Sequence, residues 1–217
     1  MPQSVNGKEG FAALCLRLRG RGIAATDLLN AIEQTPRSIF TPLEHAGSAW
    51  SSRTIPIECG AFMEGVDLAV ELVDALKLKP SHRVLEIGTG SGFTAAVMAR
   101  LAERVLTVDR YKTLVTLAQE RMDRLSLRNV VIRQADGAPG LQGEGTFDRI
   151  VITAAFTTLP KIYAEQLVSG GMMIAPVLQE NGVARMVRLM KTGSRFERTE
   201  LFETPYQPVV PLVAQFL

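Results

Sequence analysis

The sequence predicts an α/β protein: a doubly wound, mostly parallel sheet with an antiparallel edge strand, preceded by an N-terminal helical cap. Short apolar runs alternate with helix-period segments from Arg83 to Leu178, and repeated strand–helix units of this kind require parallel strands with helices on both faces. Within them, Arg-Val-Leu-Glu-Ile-Gly-Thr-Gly-Ser-Gly at 83–92 passes from an apolar strand through three alternating glycines into a helical pattern. Near the C-terminus two β-patterned runs, 184–190 and 195–202, flank Lys191-Thr192-Gly193 as the arms of a hairpin do.

The elements follow in order. Residues 8–39 read as two helices broken at Gly20-Arg21-Gly22, with Phe11, Leu14, Cys15 and Leu18 on one stripe and Leu28, Leu29, Ala31 and Ile32 on the next. Thr26 is the expected N-cap of the second helix. Residues 41–60 lose periodicity and carry Pro42, Gly47, Pro56 and Gly60; so long a connection inside a compact domain is usually functional. The first 60 residues are therefore expected to form a cap and a substrate-side loop, and 61–217 the main unit, packed with the cap as one body. A helix over 63–78 presents Val66, Ala69, Val70, Val73 and Leu76 on one stripe and stops at Lys79-Pro80. Strand 84–87, helix 93–102, strand 104–109 and helix 112–125 come next. They are followed by strand 130–132, a loop carrying Asp136-Gly137, strand 147–154, a short helix over 159–167 and, after Gly170-Gly171, strand 172–178.

Composition bounds the function. At 217 residues and nearly half apolar, the chain supports one sizeable core. The net charge of +2 is spread over scattered basic residues, which argues against a nucleic-acid footprint. No apolar run of membrane-spanning or signal length occurs, so the expectation is a cytoplasmic protein without a membrane partner; an oligomer stays open. Cys15 and Cys59 lie far apart without metal-ligand spacing and read as reduced thiols, and with His45 and His82 the only histidines, no metal site is expected.

The glycine stretch carries the chemistry. A strand-to-helix turn needs backbone angles that a β-carbon disfavours, a ligand must come close to the main chain there, and the following helix turns its free N–H groups toward that ligand. The next strand ends in Asp109, about twenty residues beyond the turn, where an acid that accepts ribose hydroxyls belongs; a plain N-cap of the following helix is the alternative. The spacing is G-x-G-x-G with Phe93 where a dinucleotide fingerprint has its last glycine, which argues against a pyrophosphate and favours a phosphate-free nucleoside cofactor such as S-adenosylmethionine.

Together with these features, several stretches resemble the protein-L-isoaspartate O-methyltransferase family of Rossmann-like class I S-adenosylmethionine-dependent methyltransferases. They are Thr35-Pro36-Arg37-Ser38-Ile39-Phe40-Thr41-Pro42, Ile55-Pro56-Ile57, 84–93, Asp136-Gly137, Phe147-Asp148-Arg149-Ile150-Val151-Ile152-Thr153-Ala154-Ala155, 166–176 and Val210-Pro211-Leu212-Val213. The similarity runs over nearly the whole chain from about residue 27, and Thr-Ala-Ala after Phe-Asp-Arg-Ile is its most specific piece.

The resemblance implies transfer of a methyl group from S-adenosylmethionine to an isoaspartyl carboxylate of a protein or peptide, a repair reaction that leaves S-adenosylhomocysteine. Carried over by position, the donor site comprises Glu86, Gly88, Thr89, Gly90, Gly92, Asp109, Arg110, Asp136, Gly137 and Thr153, with Asp136 and Gly137 at the adenine, or else forming a plain turn. The acceptor side comprises Ile57, Gly60, Ala154 and Ala155. One departure stands out: the family has a polar segment with a serine at the acceptor carboxylate, and here Glu64 occupies that place within Ala61-Phe62-Met63-Glu64-Gly65-Val66-Asp67. Glu64 is thus the candidate catalytic residue. An acid beside an acidic acceptor repels it unless protonated or turned away, so a different acceptor needing a general base, or a non-catalytic cofactor-binding relative, are the alternatives. Glu64 as the mere first-turn acid of helix 63–78 is the bland reading.

Overall fold

A computed structural model describes residues 3–215. The N-terminal part consists of α1 (Gln3–Gly20), α2 (Thr26–Glu33), 3₁₀ turns at Arg37–Ile39 and Leu43–Ser48, and a two-residue antiparallel ladder of β1 (Ile55–Pro56) with β2 (Phe62–Met63) around a third turn, Glu58–Gly60. Then come α3 (Val66–Leu76), β3 (Arg83–Ile87), α4 (Phe93–Ala99), β4 (Arg104–Asp109), α5 (Lys112–Arg124), β5 (Val130–Gln134), β6 (Phe147–Ile152), α6 (Lys161–Glu165), β7 (Leu167–Leu178), β8 (Ala184–Thr192) and β9 (Arg195–Thr204). Of the ranges 1–60 and 61–217 expected for cap and main unit, the two outermost positions at each end lie outside the described residues.

The sheet order is β5-β4-β3-β6-β7-β8-β9. The five strands from β5 to β7 run parallel, while β8 and β9 add antiparallel at the edge as consecutive hairpin arms. The order in which strands are added reverses at β3, with β4 and β5 on one side and β6 and β7 on the other; at such a switch point the connections leaving the carboxyl ends of neighbouring strands part and leave a crevice.

Alternation along the parallel strands sends side chains to two cores. Val84, Val105, Val151 and Ile174 meet α3, α4 and α5, and the same cluster takes in Leu14, Leu18, Leu28 and Ile32 of the cap. Leu85, Ile87, Leu106, Val108, Ile150 and Ile152 face Leu141, Phe156 and Tyr163. Helices therefore cover both faces, unequally: on the second, α6 and the loop between β5 and β6 do what three helices do on the first. Each fully buried aliphatic side chain contributes about 1.5–3 kcal/mol by leaving water, so Leu14 and Leu18 anchor the cap to the main core. Arg17 of α1 adds a paired contact, donating to both carboxylate oxygens of Asp67 on α3 and to the Trp50 carbonyl. No helix among the described residues is long and apolar enough to cross a membrane.

Three local expectations need correction. Thr26 is the first residue of α2 and Ala25 its N-cap, with no side-chain cap bond. Helix 63–78 is shorter at its start, since Met63 pairs with Ile55 in the small ladder and Gly65, packed where a Cβ would lie 2.1 Å from the Ser52 carbonyl oxygen, forms the N-cap of α3. β7 begins at Leu167 rather than Met172, pairing Leu167 with Phe147 before a register shift.

Candidate active site

A cavity of about 480 Å³ opens at the carboxyl ends of β3, β4 and β6. Its floor is the turn from β3 into α4. Gly88 takes φ +96°, and a Cβ there would lie 2.2 Å from Thr153 Oγ1, which itself donates to the Ile87 and Gly88 carbonyls. Gly90, at φ +52°, has only Ile57 Cδ1 near its missing Cβ, at 3.8 Å, and borders the cavity. Gly92 does not line it; this residue is the N-cap of α4 and packs on Ala118 and Met122 of α5.

Beneath the turn, Thr89 lies 2.7 Å from Thr107, whose hydroxyl donates to Glu86 Oε2 at 2.6 Å. Thr89 lines the cavity, whereas Glu86 is fully buried behind it and its Oε1 has no hydrogen-bond partner. Burial first, then the nearby Glu64 and Asp109 charges, push the Glu86 carboxyl up to about 8 against the Thr107 hydrogen bond. Glu86 is thus a neutral acid at physiological pH, at the end of a hydroxyl chain leading to the cavity wall.

Asp109 lines the cavity and is nearly buried. Its Oδ2 accepts from Gly90 N at 2.9 Å and its Oδ1 from Tyr111 N at 3.1 Å. Burial raises its carboxyl above the ordinary range, while the hydrogen bonds from Gly90, Tyr111 and Arg110 N–H groups pull the other way. Asp136 Oδ1 accepts from Ala138 N at 2.8 Å, as an Asx turn does, and Oδ2 from Leu212 N at 2.7 Å. Gly137 has Ile87 Cγ2 at 2.3 Å from its missing Cβ, and its carbonyl accepts from the Tyr163 hydroxyl.

The Asp136–Leu212 bond belongs to a strap that the element-by-element reading missed. After β9 the chain crosses the cavity mouth, and Tyr206, Gln207, Pro208, Val209 and Val210 line it. Ala155 N donates to the Gln207 carbonyl at 2.7 Å, Val209 N to the Ala155 carbonyl at 2.9 Å, Ala214 N to the Arg110 carbonyl at 2.9 Å and Arg110 Nε to the Leu212 carbonyl at 3.1 Å. Arg110 and Ala154 line the cavity; Ala155 sits behind it as the strap's anchor. The only hint of the strap was Val210-Pro211-Leu212-Val213, quoted above without a location.

On the opposite wall, the β1–β2 ladder brings Gly60, Ala61, Phe62, Met63 and Glu64 to the cavity, with Ile57 just behind at Gly90. Glu64 precedes α3 by two residues, so it is a wall residue and not a member of the helix's first turn. Burial pushes its carboxyl up, opposed by its own backbone N–H and by the positive charge of Arg37. Arg37 lines the same wall and donates from Nη2 to the Glu64 carbonyl. It too went unassigned, because nothing in a Thr-Pro-Arg run says which distant residues it meets.

Comparison with known proteins gives one consistent family. The family model described as Protein-L-isoaspartate(D-aspartate) O-methyltransferase (PCMT) matches residues 10–214. A protein-L-isoaspartate O-methyltransferase of Rhizobium meliloti (strain 1021) is 57% identical over 204 residues, covering 94% of this chain and 100% of that protein. One from Bradyrhizobium sp. (strain ORS 278) is 42% identical, covering 93% and 94%. Among solved structures, a Plasmodium falciparum protein described as a candidate protein-L-isoaspartate O-methyltransferase, in complex with S-adenosyl-L-homocysteine, superposes with a TM-score of 0.80 at 22% identity over 91% of this chain and 97% of that one, and shares the fold.

Proposed function

The chain belongs to the protein-L-isoaspartate(D-aspartate) O-methyltransferase family, and from that premise we propose that it transfers a methyl group from S-adenosylmethionine to the carboxylate of isoaspartyl residues in proteins or peptides, a repair reaction. The observation that carries this reading is the meeting of the Gly88–Gly90 turn, Asp109 and Asp136 around one cavity at the switch point of the sheet. The lining fits such a donor: Gly90 leaves open space where a Cβ would intrude, and each oxygen of Asp109 and Asp136 that accepts one main-chain N–H has a second lone pair for a hydroxyl or an amine.

Bound S-adenosylmethionine supplies an electrophilic methyl group on a sulfonium. The residues of this chain bind, orient and keep the site dry. The turn admits the donor's amino-acid end against the main chain, with Thr89 and Thr153 holding the turn's shape from behind. Asp109 would accept from ribose hydroxyls in charge-assisted bonds and Asp136 and Gly137 would flank the base, with Arg110 tying the strap beside them. Gly60, Phe62, Glu64 and Ala154 bound the acceptor side, where they would hold an acceptor carboxylate beside the donor and keep water out. We propose a cytoplasmic setting, supported by two unpaired cysteines, Cys15 and Cys59.

A second reading, transfer to a different acceptor, is favoured by Glu64 on the acceptor wall. The deciding experiment is transfer of labelled methyl from S-adenosylmethionine to an isoaspartyl peptide, its aspartyl counterpart and a peptide-free blank. Labelling confined to the isoaspartyl peptide is expected; equal or absent labelling with bound donor sinks the acceptor assignment.

A further inference from the structure

Arg37 heads the fully buried side chains of the described residues by volume, with 1% of its surface exposed. Its main chain is held by the 3₁₀ turn and by Thr41 Oγ1, which donates to the Arg37 carbonyl at 3.0 Å. Its guanidinium carbon lies 4.4 Å from the centre of the Phe93 ring, the first residue of α4, and Nη2 donates to the Glu64 carbonyl. Nε and Nη1 are buried with no hydrogen-bond partner, and Arg37 has no ion-pair partner among the described residues.

This arrangement is expensive unless something completes it. Burial lowers the guanidinium only to about 10, against the opposing charges of Glu64 and Asp67, so it remains a cation at neutral pH, and a buried cation without a carboxylate in hydrogen-bond contact is costly. The contact with the Phe93 ring offsets part of that cost as a cation–π interaction. It leaves Nε and Nη1 without a hydrogen-bond acceptor. Glu64 contributes its main-chain carbonyl, a neutral acceptor, while its carboxyl makes no ion pair with Arg37. The missing component is an anion with oxygens in the guanidinium plane, and the cavity that Arg37 borders, beside Phe93, Thr94 and Glu64, is where one can arrive.

We propose that Arg37 is a carboxylate-binding residue of this cavity, receiving either the carboxylate of the methyl acceptor or that of the methyl donor's amino-acid end. The proposal rests on the donor assignment above and adds to it a named cation. It also answers the difficulty posed by Glu64: a positive group on the same wall offsets a like charge that would otherwise repel an acidic acceptor.

Three ligands separate the two sources. S-adenosylhomocysteine carries the amino-acid carboxylate; 5′-methylthioadenosine keeps the nucleoside and thioether without it; an isoaspartyl peptide carries the acceptor carboxylate. Should Arg37 hold the donor, Arg37→Gln weakens S-adenosylhomocysteine by about tenfold to a hundredfold in calorimetry and leaves methylthioadenosine unchanged. Should it hold the acceptor, both nucleosides bind as in wild type and KM for the isoaspartyl peptide rises by a similar factor with kcat little altered. Arg37→Lys, which keeps the charge and loses the planar donors, falls between. The proposal is overturned if the two nucleosides weaken together with KM unchanged, or if nothing changes in folded Arg37→Gln. Where neither variant folds, wild type decides: equal affinity for S-adenosylhomocysteine and its carboxamide, together with equal inhibition by the isoaspartyl peptide and its α-carboxamide, overturns it, and a carboxylate preference in either pair sustains it. Wild-type binding of S-adenosylhomocysteine without methyl transfer would remove the proposed reaction and leave the donor arm standing.

Discussion

Asp109 Oδ2 accepts a hydrogen bond of 2.9 Å from the main-chain N–H of Gly90, so the acid at the end of β4 is latched to the turn at the end of β3. One carboxylate thereby shapes the turn and faces the cavity that the turn floors. Removing it costs both functions at once.

Asp109→Ala is accordingly expected to weaken S-adenosylhomocysteine by roughly 1.5–3 kcal/mol, about tenfold to a hundredfold. Glu64→Ala, on the acceptor wall, should leave that affinity nearly unchanged. Calorimetry on the two variants checks this, and equal losses would move Glu64 into the donor site.

Gly88 and Gly90 should respond differently to alanine. Gly88→Ala places a methyl group 2.2 Å from Thr153 Oγ1 at φ +96°, and should lower stability by about 1–3 kcal/mol or more in urea unfolding. Gly90→Ala, with open space at φ +52°, should cost about 1 kcal/mol of stability and most of the donor affinity, because its methyl group projects toward the ligand. Reversed effects would show that the ligand lies against Gly88.

Glu86 predicts a stability profile. Its carboxyl is held neutral in the folded state up to about pH 8, whereas in the unfolded chain it ionises at the ordinary glutamate value of 4.5. Between these values the unfolded state binds fewer protons, so this group's contribution to stability falls as pH rises from 4.5 toward about 8 and levels off above. Glu86→Gln should flatten that decline in urea titrations across the window; an unchanged slope assigns it to other groups.

Glu64→Ser should raise the rate on an isoaspartyl peptide, since it removes a carboxyl from the acceptor wall and restores a neutral donor. The advantage of the variant should grow with pH, because Glu64, whose pKa is raised by burial, becomes charged as pH climbs through it. A pH-independent ratio of the two rates would place the Glu64 carboxyl away from the acceptor.

Much of this was legible in the sequence because it is local. The apolar run before the glycines, the acid ending the next strand and the β-patterned hairpin each follow from neighbours in the chain, and β3, β4, β8 and β9 lie where periodicity put them. The start of α3 was not legible, since Met63 is drawn into the ladder by Ile55 and Gly65 is pressed on Ser52, contacts across an irregular turn that no helical or strand period registers. Arg37 and the strap escaped for the same reason. An arginine stacked on a phenylalanine 56 positions later, or a main-chain N–H bonded to a carboxylate 76 residues away, leaves no periodic trace.

The strap also bears on time. Part of the cavity's roof is the segment 206–214, held by Ala155, Arg110 and Asp136, so if the donor sits beneath it, exchange of spent cofactor for fresh depends on how often those few bonds open together, a local event with its own free energy well below that of global unfolding. Residence time then becomes a property of residues 206–214, and loosening the strap's few main-chain bonds is expected to change the dissociation rate before it changes affinity.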